Sequence, residues 1–133
     1  MTMKNIPPEG REHEVGNLAS AMLTLDLNRE IQDLRAEARW QSGHTAKTLA
    51  KYPDLRVVLI AMNAGGRLVQ HQTAGRISVH AIQGRIRFQT AERSADLIAG
   101  QLLTLESNIP HDVEAITDSA FLLTIAFPAA TGH

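Results

Sequence analysis

The sequence contains no cysteine, which excludes disulfide bonds, thiolate metal sites and a cysteine nucleophile. It also has no excess of one charge, because 13 Lys and Arg face 14 Asp and Glu and leave a net charge of −1. Without a positive field to gather phosphates, we expect neither nucleic acid nor an anionic membrane as the main partner. The hydrophobic fraction of 44% and the charged fraction of 20% are typical of a globular protein.

Long hydrophobic runs are missing as well. No window approaches the ~18 apolar residues of a membrane-spanning helix, and residues 1–16 hold no apolar run of the kind found in a secretory signal. We therefore expect a cytoplasmic protein. At the usual ~100–200 residues per domain, 133 residues predict about one domain.

Composition divides the chain into four parts. Prolines and charged residues predict a flexible tail over residues 1–16. An arm with a short helix is predicted over residues 17–43, a β domain over 44–127, and a small polar tail over 128–133.

The arm contains one segment with helical periodicity, 28–39. Its apolar residues recur at spacings of three and four, which places them on one stripe of a helix: Ile31, Leu34 and Ala38. Asp26 or Asn28 can cap its start.

After Gly43 the apolar runs become short and regularly spaced, and Gly, Pro, Asn and Asp separate them. This pattern predicts an antiparallel sandwich or barrel, and the absence of intervening helical segments argues against a parallel βαβ sheet. The predicted strands are 44–50, 55–62, 67–73, 77–83, 85–90, 101–106, 111–116 and 120–127.

Strand alternation assigns side chains to faces. In 67–73 it predicts that Val69, His71 and Thr73 share one face, opposite Leu68. By the same rule His80 lies away from Ile77, so we expect it on the outer or subunit-facing side.

Two sets of spacings resemble the two short motifs of the cupin superfamily, in particular its small single-domain members. Gly65, His71 and Gly84 match the first motif, and Gly100 and His111 match the second, without any insertion. The resemblance covers roughly residues 55–127. At the other motif positions the sequence departs from the pattern and carries Thr73, Ile77, Glu106, Asn108 and Ile116.

The resemblance implies an all-β fold, the double-stranded β-helix or jelly-roll barrel, here with a short N-terminal helical arm. Cupins hold a divalent metal inside the barrel with three histidines and one glutamate. Carried over residue by residue, His71 and His111 are kept as metal ligands, while Thr73 and Ile77 occupy the other two ligand positions. This implies a degenerate site that binds Fe, Mn, Ni or Zn weakly, if at all, in a ligand pocket lined by these four residues.

Three functions remain open from the sequence. The favoured one is a cupin that binds a small molecule in its barrel without strong catalysis. The second is a metal-dependent enzyme of isomerase, decarboxylase or oxygenase type that uses His71 and His111, and the third is an interaction module. A homodimer is expected under all three.

Basic residues at 76, 85 and 87 suggest either an anion-binding cluster or a solvated strand face. The three residues are Arg76, Arg85 and Arg87. Because solvated charges on exposed strands are common, we favour the solvated face.

Overall fold

The structure, a computed structural model, describes residues 18–37, 40 and 43–128. The predicted tail over 1–16 lies outside these ranges, as does the predicted C-terminal tail apart from Pro128. The described elements are a helix α1 (Leu27–Arg35) and the strands β1 (His44–Lys51), β2 (Leu55–Met62), β3 (Arg67–His71), β4 (Arg76–Gln83), β5 (Arg85–Gln89), β6 (Ser94–Ile98), β7 (Leu102–Leu105), β8 (His111–Ala115) and β9 (Ser119–Ala126).

The strands form two antiparallel sheets. One has the order β1-β2-β9-β4-β7 and the other the order β3-β8-β5-β6. Apart from the β5–β6 hairpin, successive strands from β2 onwards pass from one sheet to the other, which is the topology of a jelly roll. The predicted all-β jelly roll with a short helical arm is therefore confirmed.

One strand, β6, was missing from the sequence prediction. Its sequence, SADLI, has a single buried residue, Leu97, and its other positions are exposed or half-buried. It forms a hairpin with β5, in which Asp96 is the partner of Arg87.

The main core lies between the two sheets. It is lined by alternate residues of the strands, which is why the short runs predicted from the sequence suffice to build it. Its buried members are Ile60, Met62, Leu68, Ile77, Val79, Ala81, Ile86, Phe88, Leu97, Val113, Ala115, Phe121 and Ile125.

A second apolar cluster lies on the outer face of the five-stranded sheet, where α1 covers it. Asp26 caps the helix, as one of the two predicted caps, by accepting the amide of Arg29 at 3.2 Å. The predicted stripe residues Ile31 and Leu34 are both 2% exposed, while Ala38 lies outside the described residues. They pack on four buried sheet residues: Leu49, Leu59, Ala61 and Ala120.

The last residue of α1, Arg35, fastens the helix to the sheet. Its guanidinium donates hydrogen bonds to the carbonyls of Met62, at 2.9 Å, and Ser119, at 2.8 Å. It also lies 5.6 Å from the ring centre of Trp40, which packs on the second cluster. Within the described ranges, no helix is both long and apolar enough to cross a membrane.

The two ends of the barrel differ in their connections. We call the end formed by residues 52–54, 72–75, 90–93 and 106–110 the mouth, and the opposite end, with residues 63–66 and 116–118, the base. The amide of Asn108 donates to the carbonyl of Thr73 at 2.8 Å, which ties two loops of the mouth together.

Candidate functional site

The two predicted imidazoles, His71 and His111, lie side by side at the mouth. They are directly opposite each other in the antiparallel pair β3–β8, so their side chains share one face. Their ring centres are 6.4 Å apart and their planes are tilted by 30°. His111 is 8% exposed, whereas His71 is exposed to solvent.

A β-bulge brings His71 to this face. The β3–β8 register shifts between Leu68 and His71, where β3 has one more residue than β8, and Gln70 has a φ of 58°. Asp112 accepts the amide of Gln70 at 2.6 Å and so supports the bulge. The alternation predicted for 67–73, with His71 opposite Leu68, is therefore wrong, because the extra residue returns His71 to the face of Leu68.

The ring of His111 is fixed on both sides. It stacks on Phe88 with centres 4.9 Å apart and an angle of 18° between planes. Its Nδ1 lies 3.0 Å from the carbonyl oxygen of Ile109. Because a carbonyl only accepts, Nδ1 carries the hydrogen in this bond, and Nε2 of the neutral ring is left as an acceptor.

A cleft of about 780 Å³ opens at the mouth, and His111 forms part of its wall. Most of the other residues that line it have polar side chains, and they come from both sheets and from the loops of the mouth. They are Gln70, Gln89, Thr90, Ala91, Glu92, Arg93, Thr104, Leu105, Glu106, Ile109, Pro110 and Asp112.

The other two predicted site residues, Thr73 and Ile77, have different surroundings. The Thr73 hydroxyl donates to the carbonyl of Gly75 at 2.7 Å, so its hydrogen is engaged within its own loop. Ile77 is 3% exposed and belongs to the main core, opposite Ile125 and Leu105 in the sheet. The structure thus brings His71 and His111 together, whereas Ile77 is a core residue that does not line the cleft.

Comparison of the fold with solved structures gives many matches. No family model matches the sequence, and no curated protein is similar to it in sequence. A conserved protein of unknown function from Streptococcus pyogenes superposes with a TM-score of 0.68 at 22% identity, over 86% of this chain and 95% of that one. A cupin superfamily protein from Desulfitobacterium hafniense gives a TM-score of 0.68 at 16% identity, over 84% and 96% of the two chains. The chain has the cupin fold.

An RmlC-like cupin from Shewanella frigidimarina has the same fold, with a TM-score of 0.62 at 16% identity, over 68% of this chain and 81% of that one. The backbone at the cupin motif positions agrees with this assignment. Gly65, Gly84, Gly100 and Asn108 all have positive φ, between 63° and 93°. Asn108 therefore replaces a motif glycine with a residue that tolerates the left-handed conformation.

The donor atoms do not fit the usual cupin metal set of three histidines and a glutamate. In the part of the chain that the structure describes, no group of three or more His, Asp and Glu residues could hold a metal ion. Of the carboxylates near His111 in the sequence, Glu106 is paired with Arg76 at 2.9 Å, and Asp112 accepts a hydrogen bond from the amide of Gln70. Since first-row metals usually take at least three protein ligands, weak binding by His71 and His111 alone stays a prediction.

The predicted arginine cluster is divided between the two sheets. Arg85 and Arg87 both bind Asp96, at 2.6 and 2.9 Å, on the outer face of the four-stranded sheet. Hydrogen bonds from Arg87 and then Arg85 lower the pKa of Asp96 to about 2. Arg76 lies in the other sheet and pairs with Glu106, so each of the three arginines has a carboxylate partner.

Two further polar residues of the five-stranded sheet are His80 and Arg56. His80 is exposed, as predicted. Sequence reasoning missed Arg56, a half-buried residue of β2 whose guanidinium lies 5.1 Å from the ring centre of Phe127. Strand alternation was the available signal, because it places Arg56 on the same face as Val58 and Ile60, which line the core.

Proposed function

We propose that this small cupin binds a small polar molecule at the mouth of its barrel, in the cleft beside His111. The observation that carries the proposal is the His111 imidazole in the wall of that cleft, held in place by Phe88 and by the carbonyl of Ile109. Phe88 and the Ile109 carbonyl hold the ring before any ligand arrives, so little side-chain entropy is lost on binding.

The surroundings of His111 suggest which ligands suit the cleft. Nε2 accepts a hydrogen bond from a hydroxyl or amide group, and Gln70, Gln89 and Thr104 supply further donors and acceptors. Leu105 adds an apolar contact. This mixture is typical of sites for small hydroxylated compounds rather than for long apolar chains.

Nuclear magnetic resonance with a panel of polyols and hydroxy acids tests the proposal. Binding should shift the backbone amide signals of Thr104, Ile109 and His111. His111→Gln should weaken it about tenfold, since a lost hydrogen bond to an otherwise satisfied site is worth about 1–1.5 kcal/mol. His80→Gln is the matched control, because His80 is an exposed histidine of the outer face.

The proposal fails if no member of the panel shifts the cleft signals. It also fails if His111→Gln and His80→Gln bind the panel equally well.

A second candidate is a metal-dependent cupin enzyme of isomerase, decarboxylase or oxygenase type. Its support is the bulge that places His71 directly opposite His111. Elemental analysis for Fe, Mn, Ni and Zn after purification without chelator tests it. Stoichiometric metal that His111→Ala removes would favour this candidate over the first, and unchanged metal content or activity in His111→Ala would exclude it.

We also propose a cytoplasmic homodimer that associates through a face of the barrel. The lack of cysteine suits a reducing compartment. Two large exposed apolar residues, Ile98 at 53% and Leu102 at 63%, flank the turn between β6 and β7 and suggest where a second copy packs.

A further inference from the structure

The guanidinium of Arg56, at the mouth of the barrel, has one unsatisfied donor. Its Nε is buried and has no hydrogen-bond partner among the described residues, and its Cζ lies 5.1 Å from the centre of the Phe127 ring. A buried donor without an acceptor destabilises the folded protein, so such a group calls for an explanation.

Other arginines of the described chain show what Arg56 lacks. The edge of Arg87 that carries Nε and one Nη faces the two oxygens of Asp96, with Nε at 2.9 Å. Arg85 also directs its Nε to Asp96, at 3.1 Å. The same edge of Arg56 has no carboxylate of the described chain against it.

A neighbouring lysine increases the local positive charge. Lys51 is the direct cross-strand partner of Arg56 in the β1–β2 pair, so the two side chains leave the sheet on the same face. Like charges placed directly opposite in a sheet repel each other. An anion between or beside them would remove this repulsion.

The location of Arg56 connects it with the candidate site. β2 and β3 lie in different sheets and are joined by residues 63–66 at the base, so Arg56 and His71 both lie at the mouth ends of these strands. Facing sheets are separated by about 10 Å, which an arginine side chain and a small ligand can span.

The sheet row that contains Arg56 is otherwise apolar. The cross-strand partner of Arg56 in β9 is Ile125. Ile125 in turn pairs with Ile77 in β4, and Ile77 pairs with Leu105 in β7. Attraction between a guanidinium and an anion is stronger beside such a wall than in open solvent, because the local dielectric constant is lower.

We propose that Arg56 binds the carboxylate of a small organic acid at the mouth of the barrel, through Nε and one Nη. A planar carboxylate matches this edge of the guanidinium, as Asp96 does for Arg87. Because Nε is covered in the ligand-free protein, a small rotation of the side chain over Phe127 accompanies binding. The inference rests on the proposed function, since it names the acid as the class of ligand for the same mouth.

The Nε–H signals of the arginines in the full chain provide the test. The signal that disappears in Arg56→Lys identifies Arg56. Lactate and gluconate are then compared with their uncharged counterparts, propane-1,2-diol and sorbitol, and with chloride and inorganic phosphate at equal ionic strength. We expect a saturable shift of the Arg56 signal with the two acids and no comparable shift with the other four compounds.

Variants measure what the guanidinium contributes. Arg56→Gln should weaken binding of the acids about tenfold or more and leave binding of the neutral polyols unchanged. Arg56→Lys should restore only part of the loss, because it keeps the charge and lacks the paired donors. Arg67→Gln, at an exposed arginine of β3, is the matched control and should change neither.

An Arg56 signal that does not respond to either acid overturns the inference, as does an equal response to chloride or phosphate. The proposed function is judged separately, by the amide signals around His111. If polyols shift the amide signals around His111 while the acids do not shift the Nε–H signal of Arg56, the inference fails and the proposed function stands. If Arg56 responds to the acids while the amides around His111 do not, the cleft proposal fails instead.

Discussion

At the scale of single residues, Asp96 gives the folded protein a defined response to acid. Its two arginine partners lower its pKa from 3.8 to about 2, with the Arg87 hydrogen bond as the largest cause. Because the folded-state pKa lies below the ordinary one, the pairing stabilises the protein above pH ~3.8, and this contribution is lost as the pH falls towards ~2.

The first prediction concerns the dependence of stability on pH in the acid range. Asp96→Asn should lower stability at neutral pH, and the difference from the unmodified protein should shrink between pH ~3.8 and ~2. Urea titrations at a series of pH values measure it, and added salt should reduce the difference because the pair is partly exposed. A difference that stays constant across this pH range would show that Asp96 does not act through its charge.

The second prediction compares two motif glycines with similar backbone conformations. Gly65 has a φ of 84°, and no described atom lies within 4 Å of the place that an added Cβ would take, so Gly65→Ala should cost only the backbone strain, about 1–2 kcal/mol. Gly84 has a φ of 76°, and a Cβ there would strike the Asp118 carbonyl and approach the Ser119 hydroxyl at 2.6 Å. Thermal unfolding should show a clearly larger loss for Gly84→Ala, and equal losses would contradict this account.

The residues of the candidate site were predictable to different degrees. The motif spacing identified His71 and His111, since both belong to recognisable patterns. The roles of Gln70 and Asp112 were not predictable, because a bulge depends on pairing between strands that are distant in sequence. Arg56 was accessible in principle from alternation in β2, but its lack of an acceptor is a property of the folded protein alone.

At the scale of the elements, the bulge in β3 makes the third prediction. Asp112→Ala removes the acceptor of the exposed Gln70 amide and should lower the free energy of unfolding by about 0.5–1.5 kcal/mol. Urea denaturation measures the loss, with Glu92→Ala as a control at an exposed carboxylate. His71 should also lose its position opposite His111, so a spectrum in which the His71 signals are unchanged would argue against this role for Asp112.

The helix α1 makes the fourth prediction. Leu34→Ala removes a side chain that is 2% exposed from the second apolar cluster and should cost about 2–5 kcal/mol. Gln32→Ala, on the exposed side of the same helix, should have little effect. A chemical denaturation midpoint for Leu34→Ala close to that of Gln32→Ala would mean that α1 adds little to the stability of the barrel.

The sequence predicted most strands of the barrel, but it missed β6 and placed the end of the helix too late. All eight predicted runs correspond to strands, because β-branched and aliphatic residues separated by turn formers leave few alternatives. β6 was missed since Ser94 and Asp96 are polar and a single buried residue, Leu97, gives no periodic signal. The helix ends at Arg35 rather than at 39, and Ala36 is its C-cap, with its amide donating to the carbonyls of Gln32 and Asp33.

At the scale of the whole molecule, association is the fifth prediction. Light scattering at micromolar concentration should give the mass of a homodimer. Leu102→Glu should shift it towards the monomer, because Leu102 is 63% exposed beside Ile98. Val69→Glu, at a residue that is 52% exposed on a different sheet, is the control. A monomer for the unmodified protein would contradict the proposed dimer.

Because α1 covers an apolar surface of the barrel, its loss has a consequence for aggregation of the protein. β2 and β9 carry apolar side chains on both faces, and the outward ones are shielded by Ile31 and Leu34. Proteolytic cleavage before β1 would allow α1 to dissociate. The barrel would then keep its fold but expose the apolar outer surface of the five-stranded sheet. Such trimmed molecules would be expected to stick to one another and precipitate, so intact chains should outlast nicked ones in storage.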